Sequence, residues 1–505
     1  MSEKKTEFNK VLNIWDILVL AFGAMIGWAW VVSTGDWIMQ GGVAGAMLGF
    51  VLGGIMIFFV GLAYAELTTA MPQNGGEHVF SYRALGKMGS FICTWAIIFG
   101  YTGVVCFEAC ALPTIFAYLY PGFLQYYLYT VGGFDIYATW LALAFFLVVF
   151  ITYINIIGAK TAAILQTVLT LVIGGVGIVL IAASGFTGSE ANLQGQLFMG
   201  ASTQEMIKNT LAVAVMTPFF FIGFNVIPQA AEEISAPLKH IGRILVLSIV
   251  LAVAFYSLVI GAVGFLMNNA MIGDAMNQVG GLVTADAMAI AFNSDAMAKV
   301  LIIGGLCGII TSWNSFLIGG SRALYSMACA HMIPPYFAKL HPKHKTPVNA
   351  LILLGVITTI AVFFGKKMLL WVVDAGNFGC VLAYFMVSVS FLVLRVKEPD
   401  MERPYKVGPY RFVGIMAVLM SGFMLVMYVV PSSGSALYPQ EWAMVLGWTL
   451  LGLVFGVYCK LRYKEKFAAQ EYFTRTEVIE EVVEDVDEES TTQGLSAPEY
   501  GTHKG

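Results

Sequence analysis

Two polar-backbone interruptions fall inside apolar stretches of this 505-residue chain, and they are where its chemistry concentrates. The first is Gly23-Ala24-Met25-Ile26-Gly27-Trp28-Ala29-Trp30, with two glycines four residues apart. The second is Phe221-Ile222-Gly223-Phe224-Asn225-Val226-Ile227-Pro228, where glycine and proline both weaken a helix and Asn225 adds a polar side chain. A helix that opens frees amide donors and carbonyl acceptors that lipid cannot satisfy. Opened backbone at membrane depth must line a protein-walled cavity, and such a cavity suits substrate binding.

A few side chains add to this. Glu108 sits between Phe107 and Ala109 well inside an apolar run, where a carboxylate must be paired, protonated or exposed to a water-filled path. It could contact a cationic substrate, carry a proton or bond to another helix. Phe219 and Phe221 precede the second interruption as gate or packing residues, and Thr311-Ser312 supply adjacent hydroxyls. Asp374 suits an external gate; Glu66, Glu77 and Glu232 are expected to pair with Arg83, Arg243 and Arg322 as an internal one. No HExxH, GxSxG, Walker-type loop or paired-aspartate metal motif occurs, which argues against an enzyme. The seven cysteines form no CxxC pair, and no metal or cofactor is expected.

These residues must be held by membrane-spanning elements. The chain is 58% hydrophobic and 11% charged, with a mean hydropathy of +0.79. About twelve runs reach the ~20 residues of a spanning helix: 12–34, 42–70, 89–119, 136–157, 161–184, 209–231, 243–267, 298–330, 348–364, 369–396, 411–431 and 442–460. They are continuously apolar, which predicts an all-α integral membrane protein and not a barrel. The interrupted spans, first and sixth, are five apart, and that placement points to an inverted repeat with a midplane site. Lys and Arg concentrate in alternate loops, so by the positive-inside rule both termini are cytoplasmic, and the basic clusters are topology signals, not a nucleic-acid patch. The expected organisation is a cytoplasmic arm over 1–10, a membrane domain over 11–462 and an acidic, disordered cytoplasmic tail over 463–505. The short charged N-terminus before a full-length span is not the pattern of a cleaved signal peptide. The long outer loop 268–297 is expected as a lid or a plain loop.

Several motifs, in order, resemble the amino acid–polyamine–organocation permeases. They are Gly23 through Ala29; Tyr64-Ala65-Glu66-Leu67 with Pro72 to Glu77; Ala231-Glu232-Glu233 with Pro237; Ser321-Arg322-Ala323-Leu324-Tyr325; Thr346-Pro347-Val348-Asn349-Ala350; and Arg403-Pro404-Tyr405-Lys406. The resemblance implies a five-plus-five inverted repeat (LeuT-type) with discontinuous helices 1 and 6 and two extra helices. It implies secondary active transport of amino acids across the cell membrane by alternating access, ion-coupled or by exchange. The alternative is an amine or polyamine carrier, which Glu108 keeps open. The implied substrate contacts are Ala24, Ile26, Gly27, Trp28, Ala29, Phe219, Phe221, Gly223, Asn225 and Glu108. Free amides after the first break would meet a substrate carboxylate, and carbonyls its ammonium. Three departures stand out. Trp28-Ala29 replaces a small Ser-Gly pair, so Trp28 either narrows the cavity or packs on a neighbour. Asn225 stands where some members carry a carboxylate. No lysine occupies the fifth span near Ile173, where proton-coupled relatives often have one. Gly23, Ile26, Thr311 and Ser312 form a candidate sodium site, with proton coupling as the other possibility; otherwise the hydroxyls pack helices.

Overall fold

The computed structural model describes residues 8–131, 134–277, 282–431 and 436–468. Within them the chain is a helical bundle with one small hairpin. In chain order the helices are α1 (Ile14–Met25), α2 (Ala29–Gly41), α3 (Val43–Ala70), α4 (Glu77–Leu119), α5 (Ala138–Ile156), α6 (Ala159–Thr187), α7 (Thr203–Phe220) and α8 (Val226–Gln229). There follow α9 (Leu238–Leu266), α10 (Asn269–Asn277), α11 (Val283–Phe292), α12 (Asp295–Cys329), α13 (Val348–Val362), α14 (Gly365–Lys397), α15 (Tyr410–Val429) and α16 (Pro439–Tyr463). Strands β1 (Tyr127–Val131) and β2 (Phe134–Tyr137) pair antiparallel between α4 and α5.

Nine helices among the described residues are long and apolar enough to cross a membrane, or ten if α1 and α2, bent by 45°, make one span. Each of the twelve apolar runs contains a helix, but two fall short of that test. α13 has only 15 residues, and the first turns of α7 are polar, with Gln204, Glu205, Lys208 and Asn209. The third span begins at Glu77, earlier than hydropathy places it, because α4 continues through a kink at Gly86 with φ +77°.

The segments around the two interruptions form the centre. α1 opens with Asn13, whose side chain accepts from the amides of Trp15 and Asp16 while Asp16 accepts from the Asn13 amide, a reciprocal cap. α1 then packs against α6, α9 and α12, and α12 also packs along α4 and α6. α3 lies against α7 and α9, and α14 runs along α4. α16 is peripheral, with little of its length buried. The 268–297 loop is helical rather than plain: α10 and α11 cover α2, with the Thr284 hydroxyl donating to the Val31 carbonyl at 2.5 Å. Its Gly280 and Gly281, residues 1–7 of the arm and the acidic stretch Glu477 to Glu489 lie outside the described residues.

Candidate functional site

The first helix stops at Met25 and restarts at Ala29. The break therefore lies at Ile26-Gly27-Trp28, toward the C-terminal end of the interval suggested by Gly23 and Gly27. Gly27 lies against α12: a Cβ there would sit 3.4 Å from the Gly308 carbonyl and closer still to the Ser312 hydroxyl. The second break lies between the end of α7 at Phe220 and Val226. Gly223 adopts φ +146°, a conformation open to glycine, and a Cβ on it would come within 2.8 Å of Ala24 Cβ. Its amide donates to Asn225 Oδ1 at 3.1 Å. The second break therefore packs against the last turn of α1, just before the first break.

Side chains from other helices hold the opened backbone. The Tyr256 hydroxyl of α9 donates to the Met25 carbonyl at 2.7 Å, and the Tyr101 hydroxyl of α4 donates to the Asn225 carbonyl at 3.0 Å. The Trp30 indole donates to the Ile26 carbonyl at 3.0 Å. Tyr256 and Tyr101 were not among the sequence candidates. A tyrosine in mid-span is a visible signal, but the carbonyl it serves is separated from Tyr256 by 231 residues and from Tyr101 by 124.

A cavity of about 370 Å³ lies over the breaks, lined by Ala24, Gly27, Trp28, Ala29, Glu108, Phe219, Ser312, Tyr256, Phe107 and Phe316, and reaching Asp374, Asn377, Tyr428 and Tyr438. Of the ten predicted substrate contacts, six line it: Ala24, Gly27, Trp28, Ala29, Phe219 and Glu108. Ile26, Phe221, Gly223 and Asn225 do not, and the first two and Asn225 are fully buried. Phe221 packs edge-on against Phe50 and Tyr256 at 6.0 and 5.9 Å, a core position. Trp28 does both things left open for it: its ring rests on Gly305 of α12 and also walls the cavity. Glu108 is 4% exposed, and its Oε2 has no hydrogen-bond partner among the described residues. The lining carries Glu108 and Asp374 and, among the described residues, no Lys, Arg or His. Such a site can accept donors from an ammonium or from water.

The candidate ion-site hydroxyls bond directly to carbonyls. Thr311 Oγ1 donates to the Gly23 carbonyl at 3.1 Å and to that of Gly308 at 2.8 Å, and Ser312 Oγ donates to the Ala24 carbonyl at 3.2 Å; the bonds to Gly23 and Ala24 tie α12 to α1. The Ile26 carbonyl points to the Trp30 indole instead. Ile173 is buried against α12 beside Gly308, and on the same helix Gln166 Nε2 and Thr170 Oγ1 are buried without hydrogen-bond partners among the described residues.

The opposite end of the bundle is closed by ion pairs. Arg322 forks onto Glu233 at 2.7 and 3.2 Å, both fully or nearly buried. Glu66 takes Arg395 at 2.6 Å and Arg403 at 3.0 Å. Arg83 pairs with Glu398 at 2.7 Å. These pairings correct the expected ones. Glu77 is instead bonded by the Tyr64 hydroxyl and the Gln229 amide, and Glu232 accepts from the Asn74 amide at 3.2 Å. Arg243 joins no ion pair among the described residues. The segment before α1 lies at the same end, with Leu12 bridging Ile234 and Phe8 set edge-on to Tyr325 at 5.1 Å.

Comparison with known proteins bears on this geometry. The family described as amino acid permease matches residues 12–453. The branched-chain amino acid permease BcaP of Bacillus subtilis is 26% identical over 424 residues, covering 83% of this chain and 88% of the relative. The methylthioribose transporter of the same organism is 25% identical over 465 residues, covering 90% and 95%. Its aspartate-proton symporter is 23% identical over 431 residues, covering 84% and 80%.

Proposed function

Because the chain belongs to the amino acid permease family, within the amino acid–polyamine–organocation superfamily, and is a transporter and not an enzyme, we propose that its substrate is an amino acid bound in the cavity over the two helix breaks. The observation that carries this reading is the packing of Gly223, in the second break, against Ala24 at the edge of the first, where Ala24 lines a cavity of about 370 Å³. A zwitterion there would direct its carboxylate to the amides beginning α2, favoured by that half-helix's positive end, and its ammonium to break carbonyls and Glu108. Trp28, Phe107, Phe219 and Phe316 leave an apolar remainder that suits a small or neutral side chain. The proposed topology is twelve spans in a five-plus-five repeat plus two, with both termini and the 463–505 tail in the cytoplasm and the membrane domain over 11–462. On the positive-inside rule the ion-paired end is then cytoplasmic and the cavity faces outward. Alternating access would open the Arg322–Glu233 end while closing the other.

Sodium coupling is the proposed energy source, with a proton gradient or exchange as the competing arrangement. The Gly23 and Gly308 carbonyls with the Thr311 hydroxyl, and the Ala24 carbonyl with that of Ser312, give the oxygen ligands a hard cation wants. The test is purified protein in liposomes, offered labelled amino acids and amines with sodium and proton gradients imposed separately. Saturable amino acid uptake that follows sodium, and that loses this dependence in Thr311→Ala, supports the reading. Uptake indifferent to sodium and collapsing with the proton gradient overturns the sodium part. A second reading, amine transport, is favoured by Glu108 Oε2 in the cavity, which has no hydrogen-bond partner among the described residues. Under it Glu108→Gln abolishes transport of a dication and spares a zwitterion.

A further inference from the structure

A second cavity, of about 430 Å³, lies on the outer flank of the bundle, away from the substrate cavity. One face of α4 (Met88, Phe91, Trp95, Phe99) forms one wall and α16 (Val445, Trp448, Leu453, Lys460) the other, with Phe378 and Leu382 of α14 behind. The walls do not part because they pack badly. Trp95 and Trp448 stack at 4.6 Å, and each indole N–H donates to the other's carbonyl, at 2.8 and 2.9 Å. The groove is a built feature beside a rigid clasp. α16 presents Leu446, Leu450, Leu453 and Val457 outward, all exposed, so this flank faces the bilayer.

Three properties select the occupant. The lining is apolar except for Thr449 and, at one end, Lys460. From Met88 to Phe99 the groove follows about 16 Å of helix at ~1.5 Å per residue, close to the ~15 Å half-thickness of a bilayer's hydrocarbon core. That end is basic on balance: Arg462, Lys464 and Lys466, with Glu465 among them, follow Lys460 in sequence, and Lys87 Nζ donates to the Phe467 carbonyl at 3.4 Å, with Phe467 itself in the lining. A partner helix would run through both leaflets, whereas this groove spans the depth of one. The geometry points to a site for one anionic phospholipid, its acyl chain in the α4–α16 groove and its phosphate on Lys460, in the leaflet next to the chain's basic end.

The experiment uses the full chain purified in mild detergent, equilibrated with equimolar phosphatidylglycerol and phosphatidylcholine and examined by native mass spectrometry. Retention of one phosphatidylglycerol in preference to phosphatidylcholine is expected. Lys460→Gln should cut that preference several-fold, and Leu453→Trp, which fills the groove, should reduce retention of both lipids. Phosphatidylglycerol brominated on its acyl chain should also quench tryptophan emission, and quench it less in Trp448→Phe. Equal retention of both lipids, a second protein chain in place of lipid, or Lys460→Gln with unchanged preference would overturn the proposal. The quenching arm decides the matter if the groove-filling variant fails to fold.

Discussion

Gly305→Ala is a small change with a large expected effect, because the Trp28 ring occupies the space a Cβ would need. The added carbon would lie 3.1 Å from Trp28 Cη2 and much nearer Cζ3 and Cε3, where carbon–carbon contacts are comfortable at ~3.5–4.0 Å. α12 is held on both sides by α4 and α6, so the ring, not the helix, must give. The direction open to it is the cavity that Trp28 already walls. Overpacking of this kind costs about 1–3 kcal/mol. If all of it falls on the substrate-bound state, affinity drops by about 5- to 150-fold, at tenfold per ~1.4 kcal/mol. The assay is labelled-substrate KM in liposomes alongside thermal stability of the purified protein. Trp28→Ser in the same chain should remove most of the penalty, a coupling of about 0.5–3 kcal/mol between touching residues. Gly305→Ala with unchanged KM and stability, or a double variant as impaired as Gly305→Ala alone, would refute the reasoning.

Trp28→Ser alone should admit bulkier substrates, checked by competition with amino acids of graded size; an unchanged profile means the ring does not set substrate size. Tyr256→Phe leaves the buried Met25 carbonyl without its donor, a loss of about 1–3 kcal/mol, to be read as lower thermal stability together with weaker substrate binding. Arg322→Met strands the buried Glu233 carboxylate and should destabilise by about 3–5 kcal/mol, whereas Arg322→Met with Glu233→Leu should recover most of it. Thermal melts of the three proteins compare these outcomes directly.

What could be read from the sequence followed local physics. Glycine and proline spacing marked both breaks, and helix 1 opened three residues later than Gly23 because the backbone turns at Ile26-Gly27-Trp28. Glu108 stood out because a carboxylate in an apolar run needs a reason, and it does face the cavity. The second break was read less well at the side-chain level. Phe221 and Asn225 lie within the interrupted stretch, but a few residues of non-helical backbone turn them away from the cavity into the core. The ion pairs were the least legible. Glu66 and Arg395 are 329 positions apart, and only packing of α3 against α14 brings them together. Choosing Glu233 over Glu232 for Arg322 required the short turn at the end of the sixth span, which adjacent identical residues conceal.

The central claim, that substrate binds in the cavity over the two helix breaks, is tested most directly by counterflow of a labelled amino acid in liposomes containing wild-type protein or Ala24→Phe. Ala24 lines the cavity at its floor, against Gly223, so a phenyl ring there would fill the site without touching either end of the bundle. Saturable counterflow by wild type, and none by an equally folded Ala24→Phe, is the expected result. Counterflow by Ala24→Phe equal to wild type, or no movement of any amino acid by wild type, would contradict it.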